Sequence, residues 1–194
     1  MRSTGIVFTV LTLSVICLSS ASAADGYWQQ EVNYVMDITL QPDLRTIDGH
    51  VSIEYTNNSP DTLRVIYLKA FPNAIRRNSP ADRKRRSTGN YSLARLHPEQ
   101  EASLELKTPA LSKDQQLGYD SFEIDETIIT VYLGDPLPPE YTVNLSFDFT
   151  TVLPAPAEMR MGLDRGVAKA VYWYPQVCVY DRKFGWVNAQ YLGW

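Results

Sequence analysis

Cysteine and histidine are scarce in this chain, with two of each among 194 residues, and each shortage removes a class of chemistry. Cys17 falls in an N-terminal stretch that reads as removable, so Cys178 is left alone and the mature chain can form no intramolecular disulfide. His50 and His97 stand far apart, in no metal-ligand spacing, and no His-Glu-x-x-His occurs. Each reads as a surface histidine, His50 on the polar face of a predicted strand and His97 in a loop before Pro98. There is no Gly-x-Ser-x-Gly elbow and no Gly-x-Gly-x-x-Gly or Gly-x-x-x-x-Gly-Lys-Ser/Thr phosphate loop. An excess of positive charge is also lacking: 18 bases face 22 acids, so nucleic acid is not the expected partner.

Long hydrophobic runs are missing as well. The longest runs from Ile6 to Leu18, preceded by Arg2 and followed by Ala21-Ser22-Ala23. Charge, short apolar core and small residues make up a secretory signal peptide, here residues 1–23, and about 13 apolar residues are too few to span a bilayer of roughly 30 Å. The expected location is therefore outside the cytoplasm, periplasmic or extracellular, with no stable membrane span. Loss of Arg2 lowers the bases from 18 to 17 against 22 acids, a net charge of −5.

What is present is a period of two. Tyr34, Met36, Ile38 and Leu40 alternate with Val35, Asp37 and Thr39, and after Gln41-Pro42-Asp43 the residues Ile47, Gly49, Val51, Ile53 and Tyr55 alternate with Asp48, His50, Ser52 and Glu54. Asn57-Asn58-Ser59-Pro60-Asp61 reads as a turn before an apolar strand over Leu63–Lys69. Further strands are expected at 102–106, 122–124 and 128–133, and the clearest alternation is Tyr141, Val143, Leu145, Phe147 and Phe149. Gly134-Asp135-Pro136-Leu137-Pro138-Pro139 reads as a rigid connection, because its prolines cannot donate to a ladder. Residues 76–93, rich in Arg, Asn, Ser and Gly, read as a basic polar loop, a solvated insertion rather than a patch for an anionic polymer. With no long amphipathic helix, residues 24–194 predict one mainly β domain, an antiparallel β-sandwich or saddle-like sheet. Asn57, Asn90 and Asn144 begin Asn-x-Ser sequons, and Cys178, between Val177 and Val179, reads as a buried thiol.

The last third holds an aromatic cluster, Tyr172-Trp173-Tyr174-Pro175-Gln176-Val177-Cys178-Val179-Tyr180-Asp181-Arg182-Lys183-Phe184-Gly185-Trp186. This segment resembles a signature of the alanyl aminopeptidase family of gluzincin zinc metallopeptidases, in their exported bacterial form; the matching residues are Trp173, Tyr174, Pro175, Tyr180, Asp181, Gly185 and Trp186. Tyr34–Leu40, Gly49–Tyr55, Thr56–Leu63 and Pro136–Pro154 are similar to that family's first domain in the same order. The resemblance implies a noncatalytic β domain that supports and caps the substrate cleft of a catalytic domain, its partner from the same parent protein, through which peptide substrates would be met. Zinc, the His-Glu-x-x-His helix and the Gly-x-Met-Glu-Asn loop belong to that other domain and are not in this chain, so no catalytic or metal residue is assigned and no cofactor is expected here. A glutamine that the family's first domain lends to the amino-terminus pocket finds no counterpart, there being none between Gln116 and Gln176. The resemblance further implies that the domain is incomplete at its C-terminal end, leaving Trp173, Trp186 and Trp194 exposed at an open sheet edge. The alternative is a free-standing exported β-sandwich that binds peptide, glycan or a protein partner.

The signal peptide gives the first prediction: intact mass and N-terminal sequencing of the exported protein will show Ala24 as its first residue. Retention of residues 1–23 on the exported form would overturn the cleavage assignment.

Overall fold

A computed structural model of the chain describes residues 27–109 and 118–193. The expected signal peptide, Cys17, Gln116 and Trp194 lie outside the described residues. Two four-stranded antiparallel sheets share one core, with no closed barrel. The first has the order β1-β2-β7-β4, from β1 (Glu31–Leu40), β2 (Thr46–Thr56), β4 (Ser103–Lys107) and β7 (Thr142–Val152). The second has the order β10-β3-β6-β5, from β3 (Leu63–Lys69), β5 (Tyr119–Asp125), β6 (Ile128–Leu137) and β10 (Gln176–Val177). Two small hairpins complete the strands: β8 (Gly162–Asp164) with β9 (Val167–Lys169), and β11 (Tyr180–Asp181) with β12 (Gly185–Trp186).

The alternation in sequence becomes the two faces of each strand. On β7, Leu145, Phe147, Phe149 and Thr151 are buried while Asn144, Ser146, Asp148 and Thr150 face outward. Their inward partners on β2 are Val51, Ile53 and Tyr55, all fully buried, and from the other sheet come Ile66, Leu68, Ile129 and Val131. Tyr119 of β5 stacks on Phe147 of β7 at 4.8 Å between ring centroids, and Phe122 meets the same ring edge-on at 5.7 Å. Full burial of a ring such as Phe147 is worth about 2–3 kcal/mol. Gly49 lies opposite Phe149, and a Cβ there would stand 2.6 Å from the Phe149 ring; the missing side chain is what lets that ring lie against the backbone.

Three expectations need correction. The 76–93 stretch is not a loop throughout: Pro80–Ser87 forms a helix, α1. Ser79 caps it by accepting from the Asp82 N–H at 3.0 Å, Pro80 takes the first turn, and Lys84, Arg85 and Arg86 sit in the last turn where the helix dipole favours cations. Its bases are mostly paired within the domain, Arg76 and Arg83 with Glu126, Arg77 with Glu101, Arg85 with Glu158 and Arg86 with Asp82. The second correction is that Gly134-Asp135-Pro136-Leu137 belongs to β6. The β3 ladder jumps from Tyr132 to Leu137, so Pro136 falls in a skipped stretch that asks it for no N–H. The third concerns β1, where Tyr34 and Met36 pack on the core but Ile38 and Leu40 project past its end and are exposed.

At the opposite end of the sandwich the turn after β2 is tied by Asn57, which is fully buried. Its amide donates to the carbonyls of Asp61 at 2.7 Å and Leu137 at 3.1 Å, and its carbonyl oxygen accepts from the Ser59 hydroxyl at 2.6 Å. Its backbone N–H donates to Tyr141 at 2.9 Å. Removing such a group strands buried acceptors at about 1–3 kcal/mol. Asn57→Ala is therefore expected to lower the melting temperature by roughly 5–10 °C, measured by circular dichroism; an unchanged melt would show that the amide is no clamp.

Candidate functional site

The segment after Tyr172 crosses the end of the second sheet and builds an aromatic cleft. β10 pairs antiparallel with the edge of β3, Gln176 opposite Lys69 and Val177 opposite Leu68, and the Cys178 N–H donates to the Tyr67 carbonyl at 2.7 Å. Tyr34 of β1 reaches across to accept from the Val177 N–H at 2.8 Å, which ties the two sheets together at this point. Ahead of β10, Pro175 is buried, Trp173 leans on Phe149 at 5.8 Å, and Tyr174 meets Tyr34 edge-on at 5.6 Å.

The β11–β12 hairpin follows from local turn chemistry. The Asp181 carboxylate accepts from the N–H groups of Lys183 at 2.8 Å and Phe184 at 2.7 Å, and Gly185 adopts φ +64°, where a side chain would be strained. The hairpin returns the chain so that Trp186 stacks on Tyr55 and lies 5.0 Å from Tyr180. Tyr180 in turn stacks on Trp28 at 5.5 Å and donates its hydroxyl to Asp61 at 2.7 Å. Gln190 then straps the following strand-free stretch to the β5–β6 turn, accepting from Thr127 at 2.9 and 2.6 Å and donating to Asp125 at 2.9 Å.

Between the β1 side and this segment lies a cleft of about 450 Å³. Trp28, Val32 and Tyr34 line one side, Tyr174, Gln176 and Tyr180 the other. Burial raises the Tyr34 hydroxyl to about 12, outweighing the donated Val177 N–H that pulls it down. Tyr180 also rises to about 12, through burial first and then its bond to the Asp61 carboxylate. Both phenols therefore stay neutral hydrogen-bonding groups at physiological pH. Cys178 is buried and its thiol is pushed up to about 11 by burial, with Lys69 acting weakly in the other direction. The Gln176 amide lines the cleft and has no hydrogen-bond partner among the described residues.

All seven motif residues fall in this one region, and their contacts are structural: Trp173 gives its carbonyl to the Thr151 hydroxyl at 2.7 Å, and the rest fix the turn or the stack. The expected exposure of Trp173 and Trp186 is not found, since both are half-buried against the core. Sequence reasoning missed Gln176 and Trp28, although a glutamine directly after Tyr-Pro and before a Val on a short strand is a signal that could have flagged the first. His97 is exposed and caps a single helical turn, whereas His50 is held between Asp148 and Ser146 on the outer sheet face. The Asn57 sequon is sealed by burial. Among the described residues no group of three or more His, Cys, Asp or Glu side chains is placed to hold a metal ion, and no helix is long and apolar enough to cross a membrane. No family model matches the chain, and no curated protein matches it.

At pH 8 a thiol near 11 carries roughly a hundredfold less thiolate than one at its ordinary value of about 9. Cys178 in the folded protein is accordingly expected to react with a maleimide at least a hundredfold more slowly than in denaturant, followed by mass spectrometry. Equal native and denatured rates would place the thiol outside the core.

Proposed function

We infer that this chain is the β-sandwich of an exported zinc aminopeptidase-like protein, noncatalytic in peptide hydrolysis, and that its aromatic face docks on a catalytic domain and narrows access to that domain's substrate cleft. One observation carries the reading. Within the motif Trp173, Tyr180 and Asp181 spend their hydrogen bonds inside the domain, while Val179 at 63 %, Phe184 at 68 % and Val187 at 43 % exposure project outward beside the cleft. The Val187 N–H donates to the Val179 carbonyl at 2.8 Å, so the two valines share one rim. An apolar fringe on a rigid aromatic base is what a docking surface offers, with the hairpin preordered and little entropy left to lose. The order of the four sequence motifs supports the identity of the partner. The described residues contribute no metal ligand set, so peptide hydrolysis in the assembled protein is assigned to the partner domain.

A second reading, the free-standing binding module, is favoured by the unpaired Gln176 amide in the cleft. An extended peptide could accept from that amide and lie on the Tyr34 and Tyr174 rings.

Docking surfaces left open self-associate or bind apolar dye. The purified mature chain is expected to bind an anilinonaphthalene sulfonate dye and to show concentration-dependent association in light scattering, both reduced in the Val179→Ser, Phe184→Ser double variant. It is also expected to hold no stoichiometric zinc and to release no nitroaniline from alanine p-nitroanilide. A wild type that stays monomeric at about 100 μM without binding dye would remove the support for docking. Zinc at one per chain would overturn the noncatalytic assignment, and calorimetric peptide binding lost in Gln176→Ala would select the second reading.

A further inference from the structure

On the far side of the first sheet from the core, β2 and β7 bring together three residues that are 96 and 98 positions apart in sequence. The register sets His50 opposite Asp148 and Ser52 opposite Ser146. Because side chains on one face recur every two residues, all four stand on the same outward surface as a small square. The His50 Nδ1 lies 2.7 Å from the Asp148 carboxylate, and its Nε2 lies 3.0 Å from the Ser146 hydroxyl. The directions follow from donor and acceptor capacity. An ionised carboxylate can only accept, so a neutral His50 must carry its proton on Nδ1, which leaves Nε2 as the acceptor for the Ser146 O–H.

Other polar pairs on this face close on themselves. Thr150 donates to Asp48 at 2.7 Å, and Thr56 and Thr142 share a hydroxyl bond at 2.8 Å. The His50 row differs in running acid, imidazole, hydroxyl, with the base oriented by a third group and in reach of a nucleophile. It is also open to reagent: the His50 and Asp148 side chains are 43 % and 48 % exposed. A shallow groove of about 430 Å³ adjoins them, with Ile38, Gly49 and Lys107 in its lining.

We propose that Ser146, activated by His50 and Asp148, is a reactive serine that takes acyl groups from small activated carboxylic esters, a site separate from the aromatic cleft. The Ser146 Oγ attacks the ester carbonyl and forms the new C–O bond as its proton passes to His50 Nε2. His50 Nε2 gives that proton to the departing oxygen, so the ester's alcohol or phenol leaves as the old C–O bond breaks; water, deprotonated by the again neutral His50, then adds to the acyl carbonyl, and the bond to Ser146 Oγ breaks as the proton returns to the serine and the acid is released. Ser52, directly across the ladder from Ser146, is the hydroxyl placed to donate to the developing oxyanion. The groove beside the row is shallow, which restricts the substrates to small, activated esters and keeps turnover slow.

A fluorophosphonate probe tests this on the whole mature chain. The Ser146 Oγ displaces fluoride from phosphorus, and peptide mass spectrometry is expected to find one adduct, on Ser146. Ser146→Ala should abolish it, while His50→Gln and Asp148→Asn should each slow labelling at least tenfold with p-nitrophenyl acetate turnover falling in step. Circular-dichroism melts establish that the variants fold; should His50→Gln not fold, Asp148→Asn carries the comparison. No adduct at Ser146, or labelling indifferent to the folded His50 or Asp148 variant, would overturn the proposal.

Discussion

At one end of the sandwich the carbonyl groups of Asp61 and Leu137 are joined by one side-chain amide, that of Asn57, which donates to both. Water does not reach that amide, so the bonds it makes are obligatory rather than interchangeable. Through Leu137 it sets where β6 ends, and through its own N–H to Tyr141 it sets where β7 begins. Through Asp61 it positions the carboxylate that receives the Tyr180 hydroxyl. The stack of Trp28, Tyr180, Trp186 and Tyr55 thus rests on a turn held by one amide. A slip there would move the aromatic cleft as a unit.

Most strands could be read from period-two alternation because one face of each is dry. β7 is the clearest instance, and β3 was legible for the opposite reason, being apolar on both faces. Tertiary context decided the rest. The cue for α1 was present in Ser79-Pro80-Ala81-Asp82, a cap followed by a first-turn proline, but eight residues rich in arginine carry too little apolar periodicity to announce a helix. Pro136 argued against strand, and only the skipped β3 register makes room for it. Ile38 had the right spacing for the core but lies beyond its edge, which no local pattern can reveal. The His50, Ser146 and Asp148 row was invisible for a similar reason, since its members meet only once β2 and β7 are paired.

The residues that carry the resemblance to aminopeptidases have physical reasons for their identities that are independent of catalysis. Asp181 accepts two backbone N–H groups, Gly185 turns the chain with positive φ, Pro175 is buried ahead of a two-residue strand, and Trp186 covers Tyr55. A motif of this kind reports a way of closing the end of a sandwich. It speaks to fold directly and by itself carries no statement about activity.

Strand β2 is flanked by β1, its neighbour in sequence, and by β7, whose first residue lies 86 positions after the last of β2, at the Thr56–Thr142 pair. During synthesis at about 5–20 residues per second, the β1–β2 hairpin would wait some 4–17 s before its second partner emerged. Over that interval Val51, Ile53 and Tyr55 have no opposing strand to cover them. Folding is then governed by the closure of this long loop, a non-local step that slows assembly, and the hairpin is the part of the nascent chain with most to gain from a chaperone that shields apolar strands.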